Sequence, residues 1–127
     1  YGFEAIFCLS GHYPLNYVRY AAIAFEREFG IPVWIGHEGM VCSPGQGDHA
    51  AQWETSLMWA LEPETVDPKR FPKRGKPNPP GVYGKPVADL TPALARANLE
   101  LVIEGMAKTA KHLLKRRKSC KPSLKRR

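Results

Sequence analysis

The first apolar block, Ala5-Ile6-Phe7-Cys8-Leu9, has no polar interruption and ends at Ser10-Gly11. A short run that is apolar on both faces predicts a strand of a parallel sheet, buried on both sides. After a brief loop, Val18, Ala21, Ala22, Phe25 and Phe29 recur at helical spacing, with Arg19, Glu26, Arg27 and Glu28 off that stripe. The pattern predicts an amphipathic helix from Asn16 to Phe29, capped by Asn16, ended by Gly30 and followed by Pro32. Val33-Trp34-Ile35 then reads as a second strand. Strand, helix, strand makes a right-handed βαβ unit with its strands parallel.

The pattern changes after residue 41. Cys42-Ser43-Pro44-Gly45-Gln46-Gly47 has turn chemistry, and Asp48 stands where a cap would precede a helix from His49 to Leu61. Trp53, Leu57, Met58 and Leu61 supply that helix with an apolar stripe, and Pro63 stops it. From Glu64 to Pro92 there is no period. A stretch of that length serves function or packs against a neighbour. A last helix begins near Pro92 and keeps an apolar face of Leu94, Ala97, Leu101, Ile103, Ala107, Leu113 and Leu114. Residues 115–127 are expected to be a disordered basic tail.

Charge divides the chain at the same place. Of its 127 residues, 19 are Lys or Arg and 12 are Asp or Glu, a net of +7. Ten of the basic residues and none of the acidic ones lie between Lys108 and Arg127, so residues 1–107 carry a net −3. A domain that coats a polyanion with its whole surface is excluded. No apolar run reaches the ~20 residues of a membrane helix, and no signal peptide is visible. Cys8, Cys42 and Cys120 form neither a disulfide framework nor a CxxC site, which reads as reduced thiols in the cytoplasm. The chain starts at Tyr1 rather than Met, so a processed protein or a piece of a longer one is expected.

Ligands of open parallel sheets bind beyond the carboxyl ends of the strands. His12-Tyr13 follows the first strand and His37-Glu38 the second. Asp48-His49 opens a helix, where the dipole lowers a histidine's pKa and favours the neutral base. A histidine in such a place serves as a metal ligand or general base, or simply hydrogen-bonds to backbone in a turn. Glu54 lies about 140° round the helix from His49 at ~100° per residue. It turns inward beside Trp53, Leu57 and Met58 or stays exposed. Cys42 reads as a nucleophile paired with His37 or His49, or as a plain small residue. Gly45-Gln46-Gly47 fits no phosphate-cradling pattern, and Trp53 and Trp59 read as core.

Three segments together resemble the creatininase (creatinine amidohydrolase) family. They are Ser10-Gly11-His12-Tyr13 after a strand, Gly47-Asp48-His49-Ala50-Ala51-Gln52-Trp53-Glu54-Thr55-Ser56-Leu57-Met58, and Ala60-Leu61-Glu62-Pro63-Glu64-Thr65-Val66-Asp67. The family's pattern is N-G-H followed by Y-E-N or G-G-N, then H-[AG]-G-x-x-E-T-S-[LM]-M and L-x-P-x-x-V-D. The resemblance covers residues 2–114 and corresponds to the C-terminal half of a family member, with residues 115–127 outside it. It implies an α/β, three-layer fold with a mostly parallel sheet and flanking helices, present here as a partial domain. It also implies a divalent metal, zinc or manganese, whose ligands lie mostly outside this chain, and metal-assisted hydrolysis of the C–N bond of a small, even cyclic, amide. A homo-oligomer is implied for the full-length protein, with no membrane or nucleic-acid partner.

By the same resemblance His12 is a metal ligand and His49 the acid/base that hands a proton to the leaving nitrogen. Glu54 supports catalysis, and Tyr13, Asp48 and Glu38 face the substrate. Four departures stand out. Pro14 replaces a metal-binding Glu and Ser10 replaces the Asn. Glu38 and Gly45-Gln46 stand near the positions of the aromatic residues that clasp creatinine. The ligand-bearing E-x-H-G-P-H-L-P segment has no counterpart. Two rival readings follow: a creatininase-like fold that has lost its chemistry, and a polyanion binder acting through the basic C-terminal tail.

Overall fold

The computed structural model describes residues 2–11, 16–42 and 47–119. The chain is mixed α/β and mostly helical. Its elements are β1 (Ile6–Ser10), α1 (Asn16–Phe29), β2 (Val33–His37), α2 (Glu38–Cys42), α3 (Gln52–Leu61) and α4 (Pro92–Ser119). Single 3₁₀ turns at Pro63–Thr65, Pro68–Arg70 and Val87–Asp89 punctuate the connection between α3 and α4.

β1, α1 and β2 form the expected strand–helix–strand unit. The strands run parallel, with Ile6 opposite Val33 and Ser10 opposite His37. Phe7 and Trp34, partners in that register, stack with centroids 4.7 Å apart. α1 ends at Gly30, which adopts the left-handed φ of 62° that glycine tolerates best. Glu26 on α1 then joins three elements. One carboxylate oxygen accepts the Val33 N–H at 3.0 Å, and the other pairs with Arg116 of α4.

The sheet has two strands, and this changes what β1 can bury. Cys8 and Leu9 are exposed, and no residue of β1 is fully buried. α1 contacts β2, as do α2 and α4. The expected burial on both faces of β1 is therefore not realised, because a parallel strand becomes core only when layers cover both of its faces.

α4 is the long helix predicted from Pro92, but it buries a different face and runs further. Ala95, Val102, Gly105 and Leu113 are buried, while Leu94, Ala97, Leu101, Ile103, Ala107 and Leu114 are exposed. Spacing alone cannot distinguish two stripes on one helix when both carry apolar residues. The stripe that wins has alanine and glycine, at Ala95 and Gly105, where α4 lies close against α3 and α2, and buries Val102 and Leu113 beside them. The helix continues to Ser119, past its expected end near Leu114. Arg116 pairs with Glu26, and Arg117 Nη1 donates to the Gly30 carbonyl at 2.7 Å, so both side chains fasten the helix end to α1. Residues 120–127 of the expected tail lie outside the described residues.

The tightest approach is between α4 and α2 at Gly105. A Cβ there would collide with the Val41 carbonyl, lying 2.7 Å from its carbon and 3.2 Å from the Val41 Cβ. Alanine has the better helix propensity by about 1 kcal/mol, yet the obstacle is backbone and cannot rotate away. Gly105→Ala is therefore expected to lower unfolding free energy by about 1–2 kcal/mol net, read from the midpoint of a urea titration.

Candidate functional site at the start of α3

The segment Gly47–Glu54 is built around one carboxylate. Asp48 Oδ2 accepts the Trp53 N–H at 2.6 Å, and Oδ1 accepts the Glu54 N–H at 3.1 Å. These are two of the four backbone donors that an α-helix leaves unpaired at its start. The N-cap residue itself is Ala51, which has no side-chain acceptor to offer. Asp48 therefore caps α3 from three residues further back, and His49 lies before the helix rather than in its first turn as expected. Glu54 closes the loop in the other direction, its Oε2 accepting the Ala50 N–H at 2.7 Å. The pair works as a capping box with a longer arm.

The long connection after α3 is tied down by the same segment. His49 and Tyr83 exchange backbone hydrogen bonds of 2.7 and 2.9 Å, and their rings lie 6.3 Å apart. Gln52 N–H donates to the Lys85 carbonyl at 3.1 Å, and Asn78 Nδ2 to the Gly84 carbonyl at 2.9 Å. Gly84 has a φ of 141°, and a Cβ on it would run into Asp48 and reach 3.0 Å from the Ala51 Cβ. Only glycine lets this strand of backbone lie against the capping carboxylate. Ala50 holds a left-handed φ of 51°, rare for a residue with a side chain. It makes the chain reverse between the His49–Tyr83 bridge and the helix.

An open cleft of about 530 Å³ adjoins this corner. Ala50, Glu54, Thr55 and Met58 line it from α3 and its approach, and Thr65, Val66, Asp67, Arg70 and Phe71 line it from the turns that follow. Phe71 is held by an edge-on contact with Trp59 at 5.7 Å. His49 is exposed and does not itself line the cleft, although its chain neighbour Ala50 does. Ser56 is fully buried: its hydroxyl donates to the Trp53 carbonyl at 2.6 Å and accepts from Asn98 Nδ2 of α4 at 2.9 Å. Within Glu54-Thr55-Ser56, then, the first residue braces the turn, the second lines the cleft and the third pins α4.

Of the residues singled out in the sequence, Asp48, His49 and Glu54 come together. Asp48, expected to face a substrate, has both oxygens engaged by the helix start. Glu54, expected to support catalysis, accepts the Ala50 N–H through Oε2. Glu38 opens α2 at the end of β2 and does not line the cleft. His12 and Tyr13 lie outside the described residues. The Cys42 thiol donates to the Glu38 carbonyl at 3.4 Å, and burial, aided by the Glu38 charge, pushes its pKa above the ordinary cysteine value. A thiol held protonated is a poor nucleophile, so Cys42 takes the structural role.

Among the described residues no three His, Cys, Asp or Glu side chains gather closely enough to hold a metal ion. The donors at the start of α3 do not fit such a centre, since Asp48 and Glu54 are occupied by backbone amides. No helix among the described residues is long and apolar enough to cross a membrane. Tyr83, Gly84 and Asn98 were not legible as partners of this site. They are remote in sequence, and neither Gly84 in a Pro/Gly-rich stretch nor Asn98 in a helix announces its contact. Comparison with known protein families, curated proteins and solved structures yields no match to this chain.

Two outcomes follow from this geometry. Asp48→Ala is expected to cost about 1–2 kcal/mol of stability by chemical denaturation, and Asp48→Asn, which keeps an acceptor, less. Alkylation by iodoacetamide at pH 7.5, mapped by mass spectrometry, is expected to modify exposed Cys8 well before Cys42. The difference should vanish in denaturant.

Proposed function

We propose that the chain is the C-terminal half of a creatininase-like amidohydrolase domain, which cleaves the C–N bond of a small amide. The observation that carries this reading is the convergence of two motif segments on one cleft. Ala50, Glu54, Thr55 and Met58 supply one wall, and Thr65, Val66 and Asp67 with Arg70 and Phe71 supply the other. The second segment follows the first after Trp59, and the turns beyond α3 fold its end back beside the helix.

The pattern of exposure supports the same reading. β1 lacks cover, and Leu94, Leu101 and Ile103 stand on the outer face of α4. In a three-layer domain these surfaces belong to the interior, against further strands and helices of the N-terminal half. Assembly of the complete protein as a homo-oligomer belongs to the same proposal.

In this reading His49, next in chain to the cleft-lining Ala50, is the acid/base. Water adds to the amide carbon, an imidazolium at His49 gives its proton to the departing nitrogen as the C–N bond breaks, and the resulting imidazole takes up the proton that the added water releases. Asp48, Glu54 and Gly84 are positioning residues: they hold the backbone that carries His49. Thr55, Met58, Val66 and Phe71 shape the wall against which an amide of modest size lies. The metal centre of the family has no counterpart among the described residues, so the role assigned to this chain is proton transfer and substrate placement.

The test begins with the coding sequence upstream of Tyr1, which this reading expects to carry an E-x-H-G-P-H-type run. Produced with that segment, the protein should release amine from cyclic amides or formamides. His49→Ala should then lower kcat by about 10²–10⁴ with an unchanged circular-dichroism spectrum. An upstream sequence without such a run, or full activity in His49→Ala, overturns the reading.

A further inference from the structure

The wall of the cleft opposite α3 carries a cation of its own. Pro68–Arg70 is a single 3₁₀ turn, opened by proline and capped by Asp67, whose Oδ1 accepts the Lys69 N–H at 3.0 Å. The Arg70 N–H donates to the Asp67 carbonyl at 3.1 Å, and the Phe71 N–H to the Pro68 carbonyl at 3.2 Å. These bonds fix the backbone at Arg70 beside Phe71, which Trp59 holds edge-on. Arg70 is exposed and lines the cleft. Among the described residues its guanidinium has no ionic or hydrogen-bond partner, whereas Arg74, four residues on, is paired with Asp89.

The acidic groups nearby are partly committed. Glu54 and Asp67 also line the cleft, and each has one oxygen taken by a backbone amide, of Ala50 and of Lys69. Beyond Asp67 the chain carries six basic residues before its next acid, Asp89. Such a run makes the local field attractive to anions.

We propose, resting on the amidohydrolase reading for the bond that is cleaved, that Arg70 determines specificity here and that the substrate is a small amide bearing a carboxylate, such as an N-acyl amino acid. A guanidinium grips a carboxylate through two parallel N–H···O bonds, and its planar fork is already shaped for the task. Met58, Val66 and Phe71 offer apolar surface to the rest of the molecule, and the cleft's volume of about 530 Å³ lies in the range of small-molecule sites. A phosphate dianion is the poorer match, because Glu54 and Asp67 repel two charges more than one. An uncharged cyclic amide leaves the guanidinium without a partner.

The experiment is an NMR titration of the ¹⁵N-labelled full chain at low salt, with N-formylglycine and with its uncharged counterpart N-formylglycinamide. N-formylglycine should shift the amide signals of Ala50, Val66 and Phe71 and bind about tenfold more tightly than N-formylglycinamide. Arg70→Gln should bind the two alike, and Arg70→Lys should keep part of the preference, with thermal melts verifying that both variants remain folded. Equal affinities in the native chain, a preference that survives in Arg70→Gln, or no shift at those amides would overturn the proposal. So would inorganic phosphate binding more tightly than N-formylglycine. In the protein produced with its upstream segment, the preference without turnover of either compound would uphold recognition at Arg70 and overturn the amidohydrolase reading. Turnover with the same KM for both compounds would do the reverse.

Discussion

The close approach of α4 to the rest of the chain is the constraint on which the other arrangements depend. A two-stranded parallel sheet with one helix beside it buries too little to stand alone. α4 crosses β2, α2 and α3 and gives them a common surface. It does so with small residues and one polar pin. Gly105 admits the Val41 carbonyl, Ala95 and Val102 fill the seam, and Asn98 reaches the buried Ser56 hydroxyl. Because the seam is tight, Leu94, Leu101 and Ile103 are left on the outside.

The same economy of backbone groups shapes the corner where chemistry is proposed. A helix start presents donors that must find acceptors, and Ala51 cannot provide one. Asp48 and Glu54 fill the need from opposite sides of the turn, and Gly84 permits the return strand to approach them. These carboxylates look catalytic in a linear motif and are occupied in the folded chain. What they confer is a fixed backbone at His49 and at Ala50, which lines the open cleft. In the proposed amidohydrolase that fixation places the acid/base, and the remaining reactive groups come from elsewhere in the domain.

The basic end of the chain shows how one composition supports two roles. Arginine suits the inward positions, since its guanidinium reaches a carboxylate or carbonyl with directed N–H groups, as Arg116 and Arg117 do with Glu26 and Gly30. Lys108 and Lys111, earlier on the same helix, are exposed instead. A run of like charge that reads as a solvating tail thus supplies, on a helix, a pair of anchors.

Local chemistry was enough to place some of the elements. The bounds of α1, the start of α4 and the parallel strand pair follow from periodicity, caps, glycines and prolines, which act over a few residues, whereas α2 was not foreseen and α3 starts at Gln52 rather than His49. Tertiary contact decided the remainder. Which stripe of α4 is buried depended on the reach of Val41 toward Gly105, a partner more than sixty residues away. Whether β1 became core depended on how many layers cover it. Asp48 and Glu54 were legible as a cluster near His49, yet the return of residues 83–85 against that turn was not, because it joins segments some thirty residues apart. Spacing along a chain records which side chains can share a face. It does not record what that face will meet, because that is settled by contacts between segments far apart in sequence.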